Sequence, residues 1–248
     1  MKRDVSIPMP DGQSARAYVF TPNSGAGPWP TILFYMDGPA IRPALFEMGE
    51  RMAQAGYYVL LPDMFWRAGT YEPFKLADIF GSPEGRKVFR EKYFGSTGPE
   101  KSMADTQVFL DWLDAQPEAM AGRIGTTGYC MGGAISLRAA ATYPERIVAA
   151  ASFHGSNLAT DDETSPHRLA GAIKAKILVA GADEDAGYDA AQDERLRAAL
   201  AQAGVNAEVC IWAGCKHGWV PTDMPVYNPD GAERHWRDLI ALFDGALK

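Results

Sequence analysis

The sequence predicts an α/β fold in which a mostly parallel β-sheet carries helices on both faces. Three observations support this prediction. Short apolar runs typical of buried strands alternate with segments of helical periodicity along the 248 residues. Connections of this kind between parallel strands are right-handed and place helices over the sheet. No linker, internal repeat or low-complexity tract interrupts the pattern, so we predict a single domain over residues 1–248.

The first half of the chain contains a hairpin signal and two buried strands. VSIPM and ARAYVF flank the turn sequence PDG, which predicts an opening β-hairpin. TILFY (31–35) and YYVLLP (57–62) are apolar runs rich in β-forming residues, and a helix over 42–55 ends at Gly56 between them. Residues 63–99 are rich in Gly, Pro and aromatic residues, with one helix expected near 84–93. A segment of this length with little regular pattern is often a functional loop or lid.

The second half alternates helices and strands more regularly. The pattern predicts helices over 103–115, 131–143 and 189–203, and an amphipathic closing helix over 233–247. It predicts strands over 123–129, 147–153, 175–181 and 207–212, with a polar loop at about 155–172.

Composition excludes several classes of function. The net charge of −7 disfavours a nucleic-acid or anionic-membrane partner, and no apolar run reaches the roughly 18 residues of a membrane helix. No signal peptide is recognisable, and an odd count of three cysteines indicates free thiols in a reducing, cytoplasmic setting. With no CxxC pair and four scattered histidines, we expect no structural zinc site. We expect a monomer or a small homo-oligomer.

The stretch GYCMGG (128–133) lies where a predicted strand ends and a helix begins. It follows the nucleophile-elbow pattern with cysteine in place of serine. Small residues are needed because the turn is sharp and the strand and helix approach closely. The turn places Cys130 at a helix N-terminus, which favours the thiolate, and aims the Met131 N–H at a developing oxyanion. A glycine-rich turn of this kind also occurs as a structural turn or a phosphate loop.

Partners for a nucleophile follow in the expected order. The strand KILVAGA runs into a cluster of carboxylates, of which Asp183 is the first and our preferred acid, with Asp185 as the alternative. His217 follows the last predicted strand. The order cysteine, aspartate, histidine, each beyond the carboxyl end of a strand, is that of the α/β-hydrolase fold. The prediction is a Cys130–His217–Asp183 triad.

Such a triad would act through a thioester acyl-enzyme. Cys130 attacks a carbonyl, His217 moves the proton, and Asp183 fixes the imidazole tautomer. The predicted substrate is a small lactone or carboxylic ester. A thioesterase, acyltransferase or amidase would use the same chemistry. A non-catalytic ligand sensor or a thiol redox sensor on a hydrolase fold remains an alternative, with Cys215 as the resolving thiol.

The sequence resembles the dienelactone hydrolase family over about residues 5–245. The resemblance is carried by YMDG (35–38), LLPDMF (60–65), GYCMGG (128–133), GAD (181–183) and HGW (217–219). It implies an eight-stranded α/β-hydrolase fold that hydrolyses enol lactones without metal or organic cofactor. It also implies that Gly38 supplies the second oxyanion-hole N–H.

Two positions depart from the family pattern. Family members carry a glutamate beside the nucleophile, and Asp37, which is one methylene shorter, stands at that place. An arginine that grips the substrate carboxylate lies four residues after the catalytic histidine, and Pro221 stands there. Arg67, Arg86 and Arg90 are candidates to replace it. We assign Asp37, Tyr129, Arg67 and Trp219 to substrate binding, and leave His154 open as a pocket or a structural residue.

Overall fold

The computed structural model describes residues 1–72, 74 and 82–248. Residues 73 and 75–81, part of the predicted loop or lid segment, lie outside the described residues. The strands are β1 (Lys2–Pro8), β2 (Ser14–Phe20), β3 (Thr31–Tyr35), β4 (Tyr58–Pro62), β5 (Ile124–Tyr129), β6 (Ile147–Phe153), β7 (Lys176–Ala182) and β8 (Ala207–Trp212). The α-helices are α1 (Pro43–Gln54), α2 (Pro83–Val88), α3 (Pro99–Asp114), α4 (Met131–Thr142), α5 (Ala190–Gln202) and α6 (Pro229–Leu247).

The strands form one sheet in the order β1-β2-β4-β3-β5-β6-β7-β8. β1 pairs antiparallel with β2, and β2 pairs antiparallel with β4. Every other pair is parallel, from β4–β3 through to β7–β8. The predicted eight-stranded, mostly parallel sheet is therefore confirmed. The carboxyl ends of β3, β5, β6, β7 and β8 meet at one edge, where open α/β sheets bind their ligands.

Helices cover both faces of the sheet, as two consecutive residues of β5 show. A Cβ placed on Gly125 would lie 2.5 Å from the Phe243 ring of α6. The next residue, Thr126, bonds through its Oγ1 to the hydroxyl of Ser136 on α4 at 2.8 Å. Successive strand residues point to opposite faces, so α6 and α4 lie on opposite sides of the sheet. All residues of β3, β4 and β5 are buried, as expected for strands covered on both sides.

Helix starts differ from the sequence prediction where a proline occupies the first turn. α3 begins at Pro99 rather than at 103, and α6 begins at Pro229 rather than at 233. Proline is favoured there because its missing N–H would have no intrahelical partner. In α6 the side chain of Asn228 also caps the helix by accepting from the Gly231 N–H at 3.0 Å. The strand β7 lies one residue later than predicted.

The described part of the 63–99 segment folds into short helical turns around an aromatic cluster. A π-helical turn, Phe89–Tyr93, follows α2. The Phe65 ring packs against Phe89, Tyr93 and Phe94 at centroid distances of 5.9, 5.6 and 6.0 Å. This cluster lies next to the carboxyl edge of the sheet, because Phe94 covers Gly38 just beyond β3. Closure of the segment as a lid stays a prediction.

Among the described residues, no helix has both the length and the apolar character needed to cross a membrane.

Candidate active site

Cys130 occupies a strained turn between β5 and α4. Its backbone has φ 55° and ψ −119°, a left-handed conformation that is costly for a residue with a side chain. The surrounding glycines make the turn possible. A Cβ on Gly128 would lie 1.9 Å from the Gly132 carbonyl oxygen, and one on Gly132 would lie 2.5 Å from the oxygens of Tyr35 and Met36. The close approach that the GYCMGG motif predicts is therefore present.

His217 stands beside the nucleophile on the loop after β8. Its ring interacts with the Cys130 side chain, and its Nδ1 lies 2.6 Å from Asp185 Oδ2. With Nδ1 held by the carboxylate, Nε2 is the ring atom available to the thiol. Asp185 is nearly buried, with 8% of its side chain exposed, and its Oδ1 accepts from the Gly187 N–H at 2.8 Å. His217 thus contacts Asp185 and interacts with Cys130, and all three side chains line the same cleft.

The preferred acid of the sequence analysis, Asp183, is not the partner of His217. Its N–H donates to the Cys215 carbonyl at 2.7 Å, and its Oδ2 accepts from the Gly214 N–H at 2.8 Å. Asp183 therefore links the carboxyl end of β7 to the loop that follows β8. Glu184 then adopts a left-handed φ of 51°, and this reversal turns Asp185 toward the site. The alternative carboxylate, two residues later, has the geometry that the triad requires.

The environment of His217 favours its charged form. Burial opposes the charge, but hydrogen bonds to Asp185 and Cys130, together with the negative charge of both partners, outweigh it and raise the pKa of His217 to about 10. The same contact lowers the pKa of Asp185 despite its burial. A protonated imidazole next to the sulfur stabilises negative charge on that sulfur, which is the reactive form of a cysteine nucleophile.

A second histidine, His154, contacts the backbone of the turn that carries Cys130. His154 is buried at the end of β6 with φ 39°, and its Nδ1 accepts from the Cys130 N–H at 3.2 Å. Its ring packs edge-on against the ring of His217 at 5.1 Å. Burial and the charge of nearby His217 hold the pKa of His154 well below its ordinary value, so this ring stays neutral. The structural alternative considered for His154 is the one its burial supports.

The predicted oxyanion-hole residues lie on either side of Cys130. Met131 is the first residue of α4, so its N–H has no intrahelical acceptor, and it lines the cleft beside the thiol. Gly38 is buried beyond the end of β3, beneath the ring of Phe94. Gly38 does not line the cleft in the described part of the chain. The distance from either N–H to a substrate oxygen stays a prediction.

A cleft of about 770 Å³ opens above the nucleophile. Its catalytic end is formed by Cys130, Asp185 and His217. One wall is aromatic and proline-rich, and the opposite wall is the polar loop after β6. The wall residues are Phe94, Thr97, Gly98, Pro99 and Ser102 on the first side and Ser156, Asn157, Thr160, Asp162, Thr164 and Ser165 on the second. Helix α4 forms the floor.

The substrate-binding role assigned to Asp37 is not supported. Both of its carboxylate oxygens accept from Arg42, at 2.6 and 2.9 Å, and both side chains are almost fully buried. Arg42 also reaches Asp223 at 2.6 Å. Asp37 is therefore neutralised inside the scaffold and lies outside the cleft lining.

The other three assigned substrate residues are also occupied elsewhere. Arg67 donates two hydrogen bonds of 2.6 Å to buried Asp105. The Tyr129 hydroxyl lies 2.7 Å from His235 Nε2 in the core. Trp219 is fully buried against the rings of Trp212 and His154. In the described chain, none of the three reaches the cleft. The residue missed is Arg138, which does line it.

In the part of the chain that the structure describes, no group of three or more His, Cys, Asp or Glu side chains is arranged to hold a metal ion. All three cysteines are free.

Comparisons with known proteins show the family and the fold of this chain. A profile of the dienelactone hydrolase family matches residues 15–247, and the chain belongs to that family. It is a hydrolase of the lactone and ester class. A protein of Methylorubrum extorquens named "Putative carboxymethylenebutenolidase" is 25% identical over 239 residues, covering 95% of this chain and 78% of the relative. One of the same name from Synechocystis is 24% identical and covers 98% of this chain and 96% of its own.

Solved structures show the same fold. A crystal structure titled as a "Putative Dienelactone Hydrolase" from Klebsiella pneumoniae superposes with a TM-score of 0.84 at 23% identity, covering 98% of both chains. A dienelactone hydrolase-like promiscuous phosphotriesterase from metagenomic libraries gives a TM-score of 0.80 at 21% identity, covering 100% of this chain and 99% of its own. The predicted α/β-hydrolase fold and the family resemblance are confirmed.

Proposed function

We propose that this chain hydrolyses small lactones or carboxylic esters through Cys130, His217 and Asp185, with a thioester acyl-enzyme as the intermediate. The observation that supports the proposal is that Cys130, His217 and Asp185 line one end of the same cleft, with His217 Nδ1 2.6 Å from Asp185 Oδ2. The general class, hydrolysis of a lactone or ester, follows from family membership. The nucleophile and the intermediate are our proposal.

The reaction has two acyl-transfer steps. The Cys130 sulfur attacks the carbonyl carbon, and the carbonyl oxygen becomes an oxyanion that faces the N–H group of Met131. The carbon–oxygen bond to the leaving group breaks, and protonated His217 donates its proton to the departing alkoxide. Water then attacks the thioester while His217 accepts a proton from it. The carbon–sulfur bond then breaks, which releases the carboxylic acid and leaves the Cys130 thiolate beside protonated His217, the pair that began the reaction.

Asp185 acts in these reaction steps through His217. Its carboxylate holds the proton of the ring on Nδ1, so that Nε2 can exchange a proton with the thiol, the leaving group and water. His154 holds the elbow by accepting the Cys130 N–H without adding a second positive charge. His154 is thus a positioning residue.

The redox-sensor alternative has little support at Cys215. The Cys215 thiol is buried, and a Cβ on Gly231 would lie 2.5 Å from its sulfur, so the space around it is filled. Burial also raises the pKa of Cys215, which disfavours the thiolate that disulfide exchange needs.

Substitution of Cys130 tests the proposal. We expect Cys130→Ala to lower kcat/KM on an aryl ester and on a lactone by roughly 10³-fold or more. Cys130→Ser should keep the fold and act poorly, because a hydroxyl ionises far less readily than a thiol. Cys210→Ala, at another free cysteine in β8, is the matched control and should leave the rate near wild type.

Mass spectrometry of the intact protein tests the intermediate. Rapid mixing with an activated ester should add one acyl group to the wild type and to Cys210→Ala, and none to Cys130→Ala. Near-normal turnover by Cys130→Ala, or an acyl adduct on that variant, would contradict the assignment of the nucleophile.

A further inference from the structure

One face of α4 lines the cleft floor from the nucleophile outward. The four lining residues are Met131, Ala134, Ile135 and Arg138. Their spacing of three and four residues places them in one row along the helix. The first three are apolar, and the row ends in a charged side chain. The cleft thus has a reactive end at Cys130 and a cationic end at Arg138.

Arg138 is half-buried and differs from Arg42 and Arg67 in having no carboxylate partner among the described residues. Its Nη2 donates to the Thr164 carbonyl at 2.8 Å, and its Nε is buried without a hydrogen-bond partner. By contrast, Arg42 is paired with Asp37 and Arg67 with Asp105. In the described chain, Arg138 forms no ion pair. Burial lowers the pKa of Arg138, which reports an incompletely compensated charge.

Asp162 is the carboxylate whose charge acts on Arg138, and one of its two oxygens is already hydrogen-bonded within its own loop. The Thr164 N–H and Oγ1 both donate to Asp162 Oδ1 at 2.7 Å. Asp162 is exposed and acts on Arg138 only through its field. A guanidinium carries five N–H donors in a planar fork that matches a carboxylate or a phosphate. Several donors of Arg138 remain for a ligand in the cleft.

We propose that Arg138 binds an anionic group at the far end of an elongated ester substrate. The inference rests on the proposed function, because the scissile carbonyl must lie at Cys130. Arg138 follows Cys130 by about 12 Å along the helix axis, and arginine side chains on a helix lean back toward its N-terminus. The substrate class is therefore an ester whose apolar chain lies over Met131, Ala134 and Ile135 and ends in a carboxylate or a similar anion.

This geometry predicts a preference by chain length. The test uses monoaryl esters of succinic, adipic and suberic acid, each compared with the same compound capped as a neutral methyl ester. The readout is the ratio of kcat/KM for the anionic ester to that for its neutral match. We expect the wild type to favour the anionic ester at one chain length, and Arg138→Gln to lower that ratio by about 10–100-fold, as for loss of hydrogen bonds to a charged group.

Arg168→Gln is the matched control. Arg168 is exposed, bonds the carbonyls of Asp161 and Asp162, and lies outside the cleft lining. Arg168→Gln removes the same charge from a side chain that donates to carbonyls of the same 161–164 loop as Arg138 does. Its ratio should stay within about twofold of wild type if direct contact with the anion, rather than long-range attraction, causes the preference. Arg138→Lys keeps the positive charge but loses the planar guanidinium with its paired N–H donors, and it should give an intermediate ratio.

The outcomes separate this inference from the proposed function. A wild-type ratio near one at every chain length, or equal losses in Arg138→Gln and Arg168→Gln, would overturn the inference while hydrolysis of the neutral esters stands. If no ester is hydrolysed, calorimetric binding of adipate and suberate to Cys130→Ala, with and without Arg138→Gln, still decides it. Binding that Arg138→Gln does not weaken would then overturn the inference.

Discussion

Asp185→Asn removes the negative charge that orients the proposed base. Asp185 Oδ2 lies 2.6 Å from His217 Nδ1 in a nearly buried position. The asparagine amide would donate to Nδ1 and place the ring proton on Nε2, where it faces the thiol. The carbonyl oxygen of the amide can still accept from the Gly187 N–H, so the loop should keep its shape. The substitution therefore changes proton position more than structure.

The size of the effect follows from two contributions. His217 is 34% exposed, so solvent screens part of the Asp185 interaction, and about 2 kcal/mol is a reasonable value for this charge-assisted hydrogen bond. That alone corresponds to about 30-fold in rate. Loss of the correct tautomer adds to it, and the equivalent change in a serine protease triad costs about 10⁴-fold. We expect kcat/KM to fall by about 10²–10⁴-fold.

The pH profile provides a second readout of the same contact. The pKa of His217, at about 10, lies above its value in an unfolded chain. Stabilisation by the charged ring is therefore complete below about pH 6.5 and is lost as pH rises toward 10. Wild-type activity should fall on the alkaline side near that pH. Burial lowers the pKa of His217, and in Asp185→Asn the carboxylate that offsets this effect is missing. NMR titration should therefore give a lower pKa for His217 in the variant.

Asp183→Asn is the matched control for the acid assignment. Its carboxylate accepts from the Gly214 N–H, a role that an amide oxygen can keep. We expect kcat/KM within a few-fold of wild type and a loss of stability of about 1 kcal/mol or less. A larger rate loss in Asp183→Asn than in Asp185→Asn, with both variants folded by circular dichroism, would refute the reasoning.

Two further predictions concern the scaffold around the site. Gly128→Ala should reduce the free energy of unfolding by at least about 3 kcal/mol, or prevent folding, because the new Cβ would lie 1.9 Å from the Gly132 carbonyl oxygen. Gly171→Ala has open space and should melt near wild type. Asp37→Asn leaves the buried Arg42 charge undercompensated and should cost about 3–5 kcal/mol in urea unfolding. Asp223→Asn, at a partner that is 43% exposed, should cost less than about 1 kcal/mol; equal losses in these two aspartate variants would contradict that account.

The sequence predicts the fold and the nucleophile because both depend on local patterns. Apolar runs of strand length alternate with helical periodicity, and the sheet follows from them. The GYCMGG glycines are required by contacts within the elbow itself, as the close approach of Gly128 to Gly132 shows. His217 is equally local, since it lies in the loop after the final strand.

The acid could not be chosen from the sequence because three carboxylates follow β7 in a row. The choice depends on the left-handed turn at Glu184, which no residue type in the stretch requires. One signal was available: Asp185 is followed two residues later by Gly187, and the bond from that N–H to its Oδ1 is a turn typical of aspartate. Asp183, as the first residue beyond β7, instead continues the contact with the β8 side.

The substrate-binding predictions for Arg67 and Asp37 were wrong for a different reason. Each of these side chains is paired with an opposite charge elsewhere in the chain. Arg67 is neutralised by Asp105 on α3, and Asp37 by Arg42 and Asp223. Position near a strand end marked these side chains as candidates, but their partners are set by tertiary packing. Arg138 was not predicted as a cleft residue because it lies within a helix. Its spacing of seven residues from Met131 nevertheless places both on the same helix face.

Charge pairing therefore separates the residues that stabilise this fold from those available to a ligand. A buried charge with a complete partner gives little to a substrate, because binding would first have to break the internal pair. A desolvated charge without such a partner interacts strongly with an incoming counter-charge, since the cost of its burial has already been met in the folded state. Arg138 satisfies this condition in the described cleft, whereas Arg42 and Arg67 do not. The same criterion favours Asp185 as the acid of the triad, because its charged partner is the imidazole that the reaction uses.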